Sequence, residues 1–250
     1  MNLRLTTSTL LLLTILALPG CASRGPAFDT MDPDQLFQQG MERLGERKWT
    51  DAVNAFERFI LVHAGHPRVA EARYRMAEAY MGRKEFVTAA VEFNRLASDF
   101  PAGPWADDAR FGVCTAYYEL APPPPLDQEY TRTAIDHCRS LIAYYPDSEY
   151  VPRSQERIGE LTSRLAEKEY TAGEYYFRRR AFDSGLIYFQ AVVEQFPETA
   201  WAPKALLRMH ESYVRLGYVE EAQAARDQLL RDYPASAEAR QLAGAAPAGS

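Results

Sequence analysis

Cysteine and histidine are scarce in this chain of 250 residues, which contains three cysteines and four histidines. The sequence also lacks a phosphate-binding glycine loop, a nucleophile elbow and an HExxH motif. The one pair of neighbouring histidines, His63 and His66, has no cysteine or acidic residue at ligand spacing. These absences argue against a metal site, a cofactor and a catalytic centre, and they favour a protein that is not an enzyme.

Positive charge is also in short supply. The formal net charge is −6, and the 28 lysines and arginines form no basic stripe along the sequence. Such a stripe is typical of proteins that bind nucleic acid or adhere to anionic lipid by charge alone. The composition therefore argues against both kinds of partner.

The longest apolar run lies at the N-terminus and is too short to remain as a membrane-spanning helix, which needs about 20 residues. It covers residues 5–18, follows Arg4 and precedes Pro19, Gly20 and Cys21. A small residue directly before a cysteine at this place resembles the bacterial lipobox. This pattern predicts a signal peptide at 1–20, a diacylated Cys21 carrying fatty acid such as palmitate, and a lipidated tether at 21–31. The alternative is an ordinary signal peptide with an incidental cysteine.

The residue after this cysteine is Ala22 rather than aspartate. This choice resembles lipoproteins that are forwarded to the outer membrane. We therefore expect the chain on the periplasmic face of the outer membrane, in contact with the bilayer through its lipid anchor.

The rest of the chain is a repeat. Five junctions near proline separate stretches whose apolar residues recur at helical spacing. A small residue, an aromatic, an alanine and a phenylalanine recur in this order with a period near 34. The aromatics are predicted to close the first helix of each pair, nine residues after the small residues in the first three cases. They are Trp49, Phe86, Phe182 and Tyr218, and the small residues are Gly40, Ala77 and Gly173.

This pattern predicts an all-α fold, an α-solenoid of about five tetratricopeptide-like helix pairs, rather than an irregular helical bundle. The solenoid is expected over 32–236, with N-terminal repeats at about 33–146 and C-terminal repeats at about 150–236. Solenoids of this kind build binding surfaces and rarely carry chemistry of their own.

Three stretches depart from the period. Four consecutive prolines, Pro122–Pro125, cannot be helical and predict an extended spacer before the second helix of repeat three. No proline interrupts residues 153–180, which predicts one long helix that joins the two groups of repeats. Residues 237–250 are poor in large apolar side chains and predict a disordered tail.

The other two cysteines, Cys114 and Cys138, fall at facing positions of repeat three. Their sulfur atoms would lie at similar distances from the turn between the helices, and an environment beyond the inner membrane permits a disulfide. Facing helices often keep their Cα atoms too far apart for such a bond. A disulfide and two buried free thiols therefore both stay open.

The inner face of the solenoid is predicted to hold a peptide-binding groove. If first helices line the concave side, positions three before and one or four after each close-packing residue point into it. Most of these residues are apolar or aromatic, which a solvated concave face has little reason to carry unless something covers it. They are Phe37, Met41, Tyr74, Glu78, Met81, Phe111, Thr115 and Tyr118. The alternative is that the long helix or the tether fills this groove.

Residues 127–218 resemble the BamD lipoproteins in several specific runs. These runs are DQEYT at 127–131, a Leu-Ala-x-x-Glu helix at 165–169 that continues to Gly-Glu-Tyr-Tyr at 173–176, and Phe-Pro-x-Thr at 196–199. The similarity extends over nearly the whole mature chain. It implies an outer-membrane-anchored periplasmic scaffold of the β-barrel assembly machine.

In that family the C-terminal repeats dock on the barrel protein BamA, and the N-terminal repeats are thought to receive the C-terminal signal of unfolded outer membrane proteins. The resemblance thus implies both partners, together with other assembly-machine lipoproteins. Tyr188 stands where many members carry an arginine implicated in the BamA contact. The arginine triplet Arg178, Arg179 and Arg180 is the candidate that supplies the docking charge instead.

Two other readings stay open. One is a different lipid-anchored repeat scaffold, for cell-wall coordination or pilus assembly. Such a scaffold would co-purify with a different partner. The other is an enzyme on a repeat stalk, for which the repeats leave no residues to form a catalytic domain.

Overall fold

The computed structural model describes residues 31–244, which form eleven α-helices. The predicted signal peptide, Cys21 and nearly all of the tether lie outside the described residues, as do residues 245–250. None of the helices within 31–244 has the length and apolar character needed to cross a bilayer. The helices are α1 (Pro33–Gly45), α2 (Trp49–Val62), α3 (Val69–Gly82), α4 (Phe86–Asp99), α5 (Ala106–Leu120), α6 (Glu129–Tyr144), α7 (Val151–Arg178), α8 (Phe182–Gln195), α9 (Trp201–Leu216), α10 (Val219–Asp232) and α11 (Ala237–Gly244).

The helices pack in chain order, each against the next, as in a tetratricopeptide solenoid. First helices of successive pairs also touch one another, at α1–α3, α5–α7 and α7–α9. They therefore form an inner layer, and the second helices form an outer one. The prediction of an all-α repeat solenoid is confirmed.

The aromatic anchors of the repeat begin the second helices and do not close the first ones. Trp49, Phe86 and Phe182 are the first residues of α2, α4 and α8, and Tyr218 is the N-cap of α10. The first helix ends earlier because the chain turns through a left-handed residue. That residue is Arg47, Lys84, Arg180 or Gly217 in the four turns.

Small residues on the first helices let the second helices approach closely. A Cβ atom added at Gly40 would lie 2.6 Å from Cε1 of Phe56, and one at Gly173 would lie 2.5 Å from Cε1 of Phe189. Both phenylalanines are fully buried. The spacing of small and aromatic residues in the sequence is therefore the spacing of the helix contacts.

The long helix is α7, which covers Val151–Arg178, two residues earlier at each end than predicted. The predicted disordered tail at 237–250 is wrong for its first eight residues, which form α11. The Ser236 hydroxyl accepts a hydrogen bond from the Ala239 amide and caps this helix. Ala239 and Leu242, three residues apart on one face of this helix, then bury against the C-terminal core.

A disulfide and a hydrogen-bonded proline spacer stabilise repeat three. Cys114 and Cys138 are both fully buried and form a disulfide between α5 and α6, with their Cα atoms 4.8 Å apart. Closing a loop of 24 residues stabilises a fold by about 3 kcal/mol in the chain-entropy description. The buried Gln128 amide donates to the carbonyl oxygens of Pro123 (2.9 Å) and Leu126 (3.0 Å), so the proline spacer is fixed.

Candidate functional site

Two of the predicted groove residues belong to the core instead. Phe37 is fully buried against Phe56 and Phe59, and the guanidinium of Arg68 lies 3.4 Å from its ring centre. Phe111 is 9% exposed. The prediction that these two rings line an open groove is wrong, because side chains of the following repeat cover them.

The cover over Phe111 comes from the start of α7. The ring of Tyr150 stacks on it at 4.5 Å, and the Tyr150 hydroxyl donates to Asp108 Oδ1 at 2.7 Å. Arg157 lies over the same ring at 4.6 Å and donates to Thr115 Oγ1 at 2.6 Å. In repeat three the long helix therefore occupies the inner face, which is the alternative that the sequence left open.

Tyr118 is engaged by the same helix. Its hydroxyl donates to Glu160 of α7, and its ring lies 4.8 Å from the Arg157 guanidinium. The hydrogen bond to Glu160 is the main cause that raises the pKa of Tyr118. Thr115 and Tyr118 are thus half-buried against α7.

The predicted groove of repeats one and two centres on Tyr74. Its ring is half-buried, stacks on Trp105 at 4.9 Å and packs against Phe93 at 5.4 Å. Burial is the main cause that raises the pKa of Tyr74, so its hydroxyl stays neutral and able to donate a hydrogen bond at physiological pH. Met41, Glu78 and Met81, which the sequence predicts in the same groove, are half-buried as well. We call these four residues the inner groove.

Charged groups border the inner groove. The Arg75 guanidinium lies 4.9 Å from the Trp105 ring centre and donates to Glu78 at 2.8 Å. An aromatic face next to an arginine and a carboxylate offers an apolar contact and both signs of charge. That combination suits an extended peptide with alternating apolar side chains and free backbone groups.

Trp105, Tyr150 and Trp201 were not singled out as site residues from the sequence. Each stands at a helix start and packs on an aromatic ring of the preceding first helix, on Tyr74, Phe111 and Tyr170 respectively. The available signal was the aromatic residue that follows each proline junction. This step recurs along the inner layer and fixes how successive repeats stack.

The predicted docking residues lie at the turn between α7 and α8. Arg178 ends α7, Arg179 is its C-cap, and Arg180 is the left-handed residue of the turn. All three are exposed. The guanidinium of Arg179 lies 3.8 Å from the ring centre of Tyr175. The triplet therefore presents its charge outward, as a cationic helix end does.

Tyr188 lies next to this turn on α8. Its ring stacks on that of Tyr176 at 5.5 Å with an angle of 11° between the planes. The structure thus brings Tyr188 and the Arg178–Arg180 turn to one surface, which we call the docking surface.

A half-buried ion-pair network below the docking surface was missed in the sequence. The side chain of Glu174, which is 12% exposed, is paired with Arg208 of α9 and lies 3.6 Å from Arg178. Arg208 also packs over Phe177 at 4.8 Å. These contacts tie the last turn of α7 to α9 and hold the arginine turn in place. No sequence motif marks them, because the partners are 34 residues apart.

Comparison with known proteins gives consistent matches. A family model described as an outer membrane lipoprotein, YfiO, matches residues 29–230. The chain is 28% identical over 211 residues to the outer membrane protein assembly factor BamD of Caulobacter vibrioides, which covers 81% of this chain and 68% of that protein. It is 26% identical over 227 residues to BamD of Rickettsia prowazekii, covering 90% of each. Among solved structures, a TPR repeats protein from Bacteroides fragilis superposes with a TM-score of 0.47 at 14% identity, over 85% of this chain and 96% of that one.

Proposed function

The chain belongs to the YfiO family of outer membrane lipoproteins, and from that membership we propose that it is an assembly factor for outer membrane β-barrel proteins. The observation that carries the proposal is the extent of the family match, which spans residues 29–230 and so nearly all of the solenoid. The relatives named as BamD assembly factors support the same function. The protein acts as a binding scaffold on the periplasmic face of the outer membrane.

In this proposal each of two surfaces binds a different partner. The docking surface on the C-terminal repeats binds the BamA-type barrel protein, near the other lipoproteins of the machine. The inner groove on repeats one and two receives the C-terminal segment of an unfolded outer membrane protein. The exposed arginine turn and the aromatic inner face support these roles, because charge and aromatic anchors are what such contacts use.

Removing the arginine turn should weaken docking. We expect a variant with Arg178→Gln, Arg179→Gln and Arg180→Gln to bring down at least tenfold less BamA-type protein in affinity purification from detergent-solubilised membranes. The docking surface would lose three cations, while the half-buried Glu174–Arg208 pair below it stays intact. The yield of partner is read by quantitative mass spectrometry.

A matched control removes three exposed arginines from the outer helices of the N-terminal repeats, Arg95, Arg132 and Arg139. That variant should retain the wild-type yield of partner. Equal yields from both triple variants would refute the arginine turn as the docking site. Recovery of a cell-wall or pilus protein in place of a BamA-type barrel would refute the assembly function itself.

Removing the central ring of the inner groove should weaken substrate binding. We expect Tyr74→Ala to weaken binding of a C-terminal barrel-protein peptide several-fold in a fluorescence titration, as for the loss of one aromatic anchor. Tyr144→Ala is the matched control, because Tyr144 is 70% exposed on α6. Wild-type affinity in a Tyr74→Ala variant with native helicity would refute the inner groove as the receiving site.

A further inference from the structure

A pocket lies between the proline spacer of repeat three and the helices of repeat four. Its volume is about 510 Å³, and its walls come from the spacer, from α7 and from α8. The residues that give it an apolar lining are Pro124, Pro125, Ala172, Tyr175, Tyr176 and Tyr188. Rings of proline and tyrosine on facing walls form a slot that suits one apolar side chain.

The spacer wall of this pocket is preformed. Besides the hydrogen bonds from Gln128, the long helix holds the spacer at two points. Arg164 Nη1 donates to the Ala121 carbonyl oxygen at 2.8 Å, and Lys168 Nζ donates to the Leu126 carbonyl oxygen at 2.8 Å. A wall fixed in this way costs little conformational entropy when a partner binds.

Large apolar side chains remain exposed around the pocket. Leu126 on the spacer is 57% exposed, and Tyr175 on the pocket wall is 52% exposed. Exposed apolar groups gathered around a preformed slot mark a surface for a macromolecular partner.

The charge and position of the pocket define that partner. Glu167 and Lys168 both line it and offset each other in charge, whereas the exposed Arg179 packs on its Tyr175 wall. The arginine turn at the edge of the pocket is complementary to an acidic group. Tyr188 belongs both to the pocket and to the docking surface, so the two are continuous.

We propose that this pocket takes an apolar side chain flanked by carboxylates from the BamA-type partner, so that docking extends from repeat four onto the proline spacer of repeat three. This inference rests on the docking role given under Proposed function. It assigns to Pro124 and Pro125 a part in partner recognition beyond that of a stiff connection.

Filling the pocket tests the inference. In isothermal titration of the full lipidated chain in detergent with a purified BamA-type barrel protein, we expect Ala172→Trp to weaken binding at least tenfold. Ala143→Trp, at an exposed position of α6, is the matched control and should bind as the wild type does. Tyr175→Ser removes a pocket wall at an exposed position and should weaken binding as well, which keeps the test valid if the tryptophan variant is poorly folded.

The outcomes separate the two proposals. Wild-type affinity in folded Ala172→Trp and Tyr175→Ser variants would overturn the pocket and leave docking at the arginine turn standing. Failure of the wild-type chain to bind the barrel protein would overturn the docking role, and the pocket inference with it. If pocket filling instead impaired binding of an unfolded barrel peptide or self-association of the chain, with docking unchanged, the assigned occupant would be wrong.

Discussion

Replacing Gly173 with leucine should lower the free energy of unfolding by about 4 kcal/mol or more and unfold the C-terminal repeats. At this position α8 lies against α7, and even a single added carbon would meet the Phe189 ring at 2.5 Å. Phe189 cannot move aside because it is fully buried and packs against Tyr170 and Phe177. The change is measured by urea unfolding followed by circular dichroism. The N-terminal repeats should keep their helicity, since repeats in a solenoid contact only their neighbours.

The same helix offers a matched control at Gly159, where no atom lies within 4 Å of an added Cβ. Gly159→Leu should leave stability unchanged or raise it by about 0.5 kcal/mol, because leucine has the higher helix propensity. A similar loss of stability in both variants would show that leucine disturbs the helix itself, and would contradict the close contact with Phe189 as the cause.

Replacing Cys21 with serine should abolish fatty-acid labelling and remove the protein from the outer membrane fraction. The thiol is the only group of the predicted lipobox that can carry the diacylglyceryl unit, so the effect is all-or-none. Labelling with a radioactive fatty acid and membrane fractionation measure it. Substituting Cys114 and Cys138 together is the control, and that variant should remain labelled. Label that persists in Cys21→Ser would contradict the lipobox.

The repeat could be predicted because its contacts are local in sequence. Gly173 and Phe189 are 16 residues apart and recur in the same register as Gly40 and Phe56, so the sequence pattern reflects the helix packing directly. The ends of the first helices were misplaced because the turn depends on Arg47 and Lys84 taking a left-handed conformation. Arginine and lysine, unlike glycine or asparagine, give no sequence signal for that conformation.

The site was harder to predict because accessibility depends on the neighbouring repeat. Helical spacing placed Phe37, Tyr74 and Phe111 on one face of their helices. It could not show that Arg68 lies over the first ring, Trp105 over the second and Tyr150 over the third. The arginine turn and Tyr188 were found from family resemblance. The supporting Glu174–Arg208 pair was not, because long-range ion pairs leave no periodic trace.

The uninterrupted helix α7 has a mechanical consequence. With 28 residues it is about 42 Å long, and it supplies both the cover of Phe111 near its start and the arginine turn at its end. An unbroken helix fixes the distance between its own two ends, because its backbone hydrogen bonds continue from one turn to the next. A barrel segment bound near repeats one and two would therefore be delivered at a set distance from a partner at the arginine turn, and lengthening α7 by whole turns would change that distance in steps of about 5.4 Å.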